Sequence, residues 1–234
     1  MACFIFWSHG ALAVNYVPID LSALKNSDLS FLTGGSDYAS VINGPSGVWM
    51  PPVGPVPFDV GAAGTNRMWV SECGIGGGSS CGDTLAISTN VTHAVGVYTL
   101  INTAWGVNAP SGTVTLSFSG GGTEVVTLVG GVDIRDHNQA SWPNVVTSPN
   151  TVTVFDNGSR RLDRQFIPVL SSFSGQTLTG IGIQDIVPGH ASDLLVTGVT
   201  VAAVPEPGEW VMMLGGIGLM GFIALRRAKA AKAA

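Results

Sequence analysis

Four polar residues fall within five positions, Asp133, Arg135, Asp136 and His137, with Trp142 shortly after them and Trp105 in an earlier loop. This combination suits a sugar ring. A tryptophan face covers the apolar side of the ring, and carboxylate or guanidinium groups pair with its hydroxyls. The same residues also suit a purely structural role, in which Arg135 pairs with a carboxylate to fasten a loop and the two tryptophans lie in the core. Acid–base catalysis by Asp133 and Asp136 would need carboxylates held apart in a cleft with separated pKa values, and nothing in the pattern marks a cleft. The chain has no G-x-S-x-G elbow, no H-E-x-x-H pair and no P-loop. The expectation is a non-catalytic protein. Its candidate ligand-binding residues are Trp105, Asp133, Arg135, Asp136, His137 and Trp142, with no catalytic or metal-ligating residue assigned.

Other reactive groups point less far. Arg160, Arg161 and Arg164 read as a solvated strand edge, where charge discourages edge-to-edge pairing, in preference to a contact for an acidic polysaccharide. Cys73 and Cys81 flank GIGGGSS, which is flexible enough to bring both thiols together. In an exported protein a local disulfide is the leading expectation, with two unpaired thiols as the alternative. Zinc would need more ligands than this stretch offers.

The elements that must position these groups read as strands. Among 234 residues there are 32 glycines and only 11% charged residues, a composition that favours short strands joined by tight turns. Val114, Leu116 and Phe118 alternate within Thr113–Ser119, and the Gly120-Gly121-Gly122 turn leads to Glu124–Val129 as a hairpin partner. Val91–Thr99, Thr151–Phe155, Arg164–Leu170, Thr177–Ile186 and Leu194–Ala203 continue the pattern, after shorter strands at Val56–Val60 and Arg67–Ser71. Helical periodicity is absent from this region, so the expected fold is all-β, a sandwich or barrel. Between Val14 and Ala203 there are 6 Lys/Arg against 13 Asp/Glu, a net charge of −7. That charge argues against nucleic acid as a partner.

The two ends of the chain read as addresses. Residues 1–13, MACFIFWSHGALA, end in a small-x-small Ala11-Leu12-Ala13 and are expected to be a signal-peptide remnant whose true beginning lies upstream. At the other end, Val204–Ala234 runs VPEPGEW, then an apolar stretch, then RRAKAAKAA. Trp210–Leu225 is sixteen residues without a charge, roughly 24 Å as a helix, enough for a thin bilayer. A buried core helix is the alternative, but only a basic, Ala-rich tail follows to cover it. Gly216, Gly218 and Gly221 spell G-x-G-x-x-G without the βαβ setting that a dinucleotide site requires. Arg226, Arg227, Lys229 and Lys232 place the tail inside and residues 1–209 outside the membrane.

The order of motif (Pro205, Glu206, Pro207), apolar run and basic end resembles the PEP-CTERM sorting signal of exported bacterial proteins. The resemblance implies processing by an exosortase-type membrane enzyme, a mature protein without the tail, and an association with exopolysaccharide. A second resemblance rests on Tyr98–Gly106 (YTLINTAWG), Gly131–His137 (GVDIRDH), Leu162–Gln165 (LDRQ) and Thr177–Asp185 (TLTGIGIQD). In succession these are similar to galactose-binding-like jelly rolls over roughly 57–203. They imply a jelly-roll-like β-sandwich in an ectodomain spanning 14–203, a carbohydrate ligand and a structural calcium. Asp185, His190 and Asp193 are the acidic and His-containing group around the Val187-Pro188-Gly189 turn, with none assigned as a ligand. The whole architecture expected is this sandwich followed by a single short C-terminal transmembrane helix at 210–225 and the basic tail 226–234.

Overall fold

In the computed structural model, alternation of Val, Ile, Leu and Phe with Thr, Ser and Gly produces strands throughout. The structure describes residues 14–27, 29, 42, 47–62, 67–71, 84–187 and 192–205. The strands are β1 (Asn15–Ile19), β2 (Val48–Trp49), β3 (Phe58–Asp59), β4 (Trp69–Val70), β5 (Thr84–Val91) and β6 (Ala94–Ala104). They continue with β7 (Pro110–Phe118), β8 (Thr123–Val129), β9 (Thr151–Asp156), β10 (Arg161–Pro168), β11 (Leu178–Asp185) and β12 (Asp193–Ala203). A 3-10 turn at Ser171–Phe173 precedes β11. The fold is all-β, as the alternation predicts.

Two larger sheets form. Sheet I has the order β1-β12-β6-β10-β9, with β4 also pairing with β12, and sheet II has the order β5-β11-β7-β8. Every pairing with a determined register is antiparallel. Successive strands from β4 to β7 alternate between the two sheets, and so do β10, β11 and β12. One apolar core therefore draws on both: Leu85, Val114, Leu116, Phe118 and Ile183 come from sheet II, and Val97, Ile101, Val199 and Val201 from sheet I. Burial of these side chains is the main favourable contribution, about 1.5–3 kcal/mol for each.

A second core lies on the other face of sheet I. There the β2–β3 hairpin brings Trp49 and Phe58 against Leu100, Leu162 and Leu195. As a result all eleven residues of β12 are buried, which explains why Leu194, Leu195, Val196, Val199 and Val201 run without a polar face. Gly198 makes room for the overlying hairpin, since a Cβ there would lie 3.2 Å from Phe58 Cβ. Thr200 Oγ1 donates to Pro57 O at 2.5 Å.

The structure departs from the predicted strands in places. The expected strand Val91–Thr99 is interrupted by a turn at Thr92–His93, where His93 takes φ +53°, so β5 and β6 belong to different sheets. β5 itself, with Leu85 and Ile87 turned inward, escapes the sequence reading because it begins two residues after a glycine-rich loop. The described residues contain no helix long and apolar enough to cross a membrane. The predicted transmembrane segment 210–225 and the segment 1–13 lie outside them.

Candidate functional site

The predicted polar cluster lies at the Ala104 end of sheet I. Residues 135–137 run beside the end of β6: Thr103 N donates to Arg135 O at 3.0 Å, and His137 N donates to Thr103 O at 2.9 Å. Arg161 N donates to His137 O at 2.9 Å. The segment is thus wedged between β6 and the start of β10. From that position Arg135 reaches Asp163 on β10 and His137 reaches Thr103 on β6, whereas Asp133 and Asp136 are held by backbone N–H groups of β8 and the neighbouring loops.

Arg135 makes a forked ion pair with Asp163 on β10, Nε to Oδ2 at 2.8 Å and Nη2 to Oδ1 at 2.9 Å. Its Nη1 and Nη2 also reach Asn144 O at 3.2 Å and Thr153 Oγ1 at 2.5 Å. Asp163 is 1% exposed and Arg135 13%. The pair survives burial because Asn102 Nδ2 donates to Asp163 Oδ2 at 3.0 Å, and Asp163 N donates to Asn102 Oδ1 at 3.0 Å, so the lone pairs are answered. Asp133 Oδ2 accepts from Val129 N at 3.2 Å.

Asp136, 1% exposed, joins the two loops that carry the tryptophans. Its Oδ2 accepts from Gly106 N at 3.1 Å, and its own N donates to Pro143 O at 3.0 Å. Its Oδ1 accepts from Asn138 N at 2.6 Å. His137 Nδ1–H donates to Thr103 O at 3.1 Å, with Asp136 Oδ1 3.3 Å away. Burial holds the imidazole pKa below 6.5, against the opposing pull of the Thr103 carbonyl and Asp136.

Trp105 and Trp142 are 54% and 60% exposed, so the alternative that places them in the core does not hold. Their loops touch: a Cβ on Gly106 would lie 2.9 Å from Pro143 Cδ. Gly130 is required nearby, because a Cβ there would collide with Val107 O, and this close approach seats the Trp105 loop against the Gly130–Val132 turn. Beside Trp142 is a cavity of about 310 Å³ lined by residues including Asn108, Gly131, Val132 and Val145. Val132 and Val145 are themselves exposed at its edge.

The structure therefore divides the candidate residues. Trp105 and Trp142 face solvent, whereas Arg135, Asp136 and His137 are fastened beneath them. Asp163, Asn102 and Arg161 belong to that fastening and were not singled out for it. The available signal was an aspartate in the strand-like run LDRQF, which a buried strand tolerates only beside a cation.

Arg161 and Arg164, read with Arg160 as a strand edge, lie on β10, which is paired on both sides. Arg161 is buried and donates to Asp136 O at 2.9 Å and Asn144 O at 2.8 Å. Arg164 reaches Val53 O at 2.9 Å and lies 5.4 Å from the centre of the Tyr98 ring.

At the end of β11, Asp185 is fully buried. It accepts from Ser71 Oγ at 2.6 Å, Val187 N at 2.9 Å and Leu194 N at 3.3 Å. Burial raises its pKa, although these donors oppose the rise. With donors aimed at both oxygens, Asp185 as seated does not fit a calcium ligand. Among the described residues no group of three or more His, Cys, Asp or Glu could hold a metal ion. Asp193 is also buried. His190, Cys73, Cys81, Glu206, Pro207, Arg226 and Arg227 lie outside the described residues.

β12 ends at Ala203, and Val204 and Pro205 follow directly. There a family model for the PEP-CTERM protein-sorting motif matches residues 203–228. The chain is thus of the exported, envelope-sorted class, and its tail is that of an exosortase substrate. No curated protein matches the chain.

Proposed function

We propose that this is a non-catalytic surface or matrix protein associated with exopolysaccharide, held in the inner membrane by a helix at 210–225 until an exosortase removes the tail. Its β-rich unit is read as a jelly roll that binds carbohydrate through Trp105 and Trp142. The run β4-β12-β6-β10 within the six-stranded sheet I, together with β5-β11-β7-β8 as sheet II, supports the jelly-roll reading, because a jelly roll pairs two four-stranded antiparallel layers. The observation that carries the binding reading is the pair of exposed tryptophans on abutting loops, pinned from below by Asp136. Exposed aromatic side chains on a pre-organised support lose little entropy on binding. Asp136 and Asp163 are buried and engaged with internal donors, which supports a role without catalysis, and no cofactor is needed for it.

Retention of the purified chain on a panel of native exopolysaccharides, with and without calcium, tests the reading. Retention that weakens in W105A and W142A is expected, and no retention on any polymer overturns it. In the rival reading, a structural or adhesive surface protein with no specific ligand, both variants leave surface phenotypes unchanged. The tail is tested by mass spectrometry of the mature surface protein. Peptides ending before Arg226 are expected, and a mature chain that retains Arg226 refutes processing.

A further inference from the structure

The register of sheet I separates two ends of the β-rich unit. Ala203 lies opposite Ala94, and Asp193 lies opposite Ala104. Trp105 follows Ala104 directly, so the chain leaves the unit a full length of β6 away from the tryptophan loops. Ten residue steps make this roughly 33 Å.

The cavity beside Trp142 is the part of this far end with room for a ligand. At about 310 Å³ it is at the small end of ligand pockets, which suits one ring. Its lining residues carry no charge, and Asn108 supplies the side-chain amide at its edge, with Oδ1 2.5 Å from where a Cβ on Gly131 would lie. A carboxylate or phosphate would lose water there without a countercharge, because Arg135 and Arg161 donate inward to Asp163, Asp136 O and Asn144 O.

We propose that this cavity takes one uncharged pyranose ring of an extracellular polymer, stacked on Trp142 and hydrogen-bonded by Asn108. The inference rests on the carbohydrate-binding reading and narrows it to a subsite and a ligand charge.

The test uses the full chain, solubilised in detergent and incubated with dextran or galactomannan as neutral polymers and alginate as an acidic one. At least one neutral polymer should bind. Affinity should fall at least tenfold in W142A and N108A, and also in V145D, a change at an exposed position that leaves melting unaltered and decides the matter if W142A unfolds. Tighter binding of alginate, or wild-type affinity in folded N108A and V145D, overturns the inference while leaving carbohydrate binding standing. So does sedimentation showing that these variants convert a dimer to a monomer, since the face would then join two copies of the chain. If none of the polymers binds the wild type, the carbohydrate reading itself fails, and the inference with it.

Discussion

Arg135 and Asp163 are a buried pair that each other's removal would strand. Asp163→Ala leaves the guanidinium with Asn144 O and Thr153 Oγ1 but no countercharge, and the loss expected is about 3–5 kcal/mol of folding stability, measured by chemical denaturation. Because the pair lies under the Asn144 segment, the same variant should also weaken any ligand held by Trp142. His137 gives a pH signature. Its folded pKa lies below the ordinary 6.5 because it is buried, so below that pH the unfolded chain binds more protons. Its contribution is present in full above about pH 6.5 and declines as the pH falls toward the folded value. The difference in stability between the wild type and His137→Gln should therefore shrink between pH 7 and pH 5, and a constant difference would contradict the assignment. Lys25 behaves differently. Burial lowers its pKa to about 8, so stability relative to Lys25→Met should rise from about pH 8 as the folded chain, but not the unfolded one, releases its proton.

At the scale of elements, the tryptophan loops depend on one close approach. Gly130→Ala drives a methyl group into the Val107 carbonyl, and the expected cost is about 1–3 kcal/mol, with a change in tryptophan fluorescence as the loops part. Thermal melting and emission spectra of the variant check both. The alternation of Val114, Leu116 and Phe118, and the triple-glycine turn after them, made the β7–β8 hairpin legible in the sequence because both features are local. β12 was legible as a strand for its content of Val, Leu and Thr. That it is buried on both faces was not, because the covering hairpin β2–β3 lies more than a hundred residues away. His93 shows the converse: a turn between two sheets interrupted a stretch whose alternation looked continuous.

For the whole molecule, β12 ends at Ala203 and the sorting motif begins two residues later, so removal of the tail should leave the fold intact. A chain ending at Pro205 should unfold at the same denaturant concentration as the full chain, whereas one ending at Val196 should fail to fold, since Val199 and Val201 leave the shared core. The sequence alone determined the β class and the address. Alternation and turn chemistry act over a few residues, and a sorting signal is read as a linear segment whatever fold precedes it. Only the tertiary structure decided which polar residues are buried and which tryptophans remain outside. The partners of Arg135 and Asp163 come from β6, β9 and β10, as far as 61 residues apart. Whether a charged side chain meets its partner or a ligand depends on which strands the two sheets bring side by side.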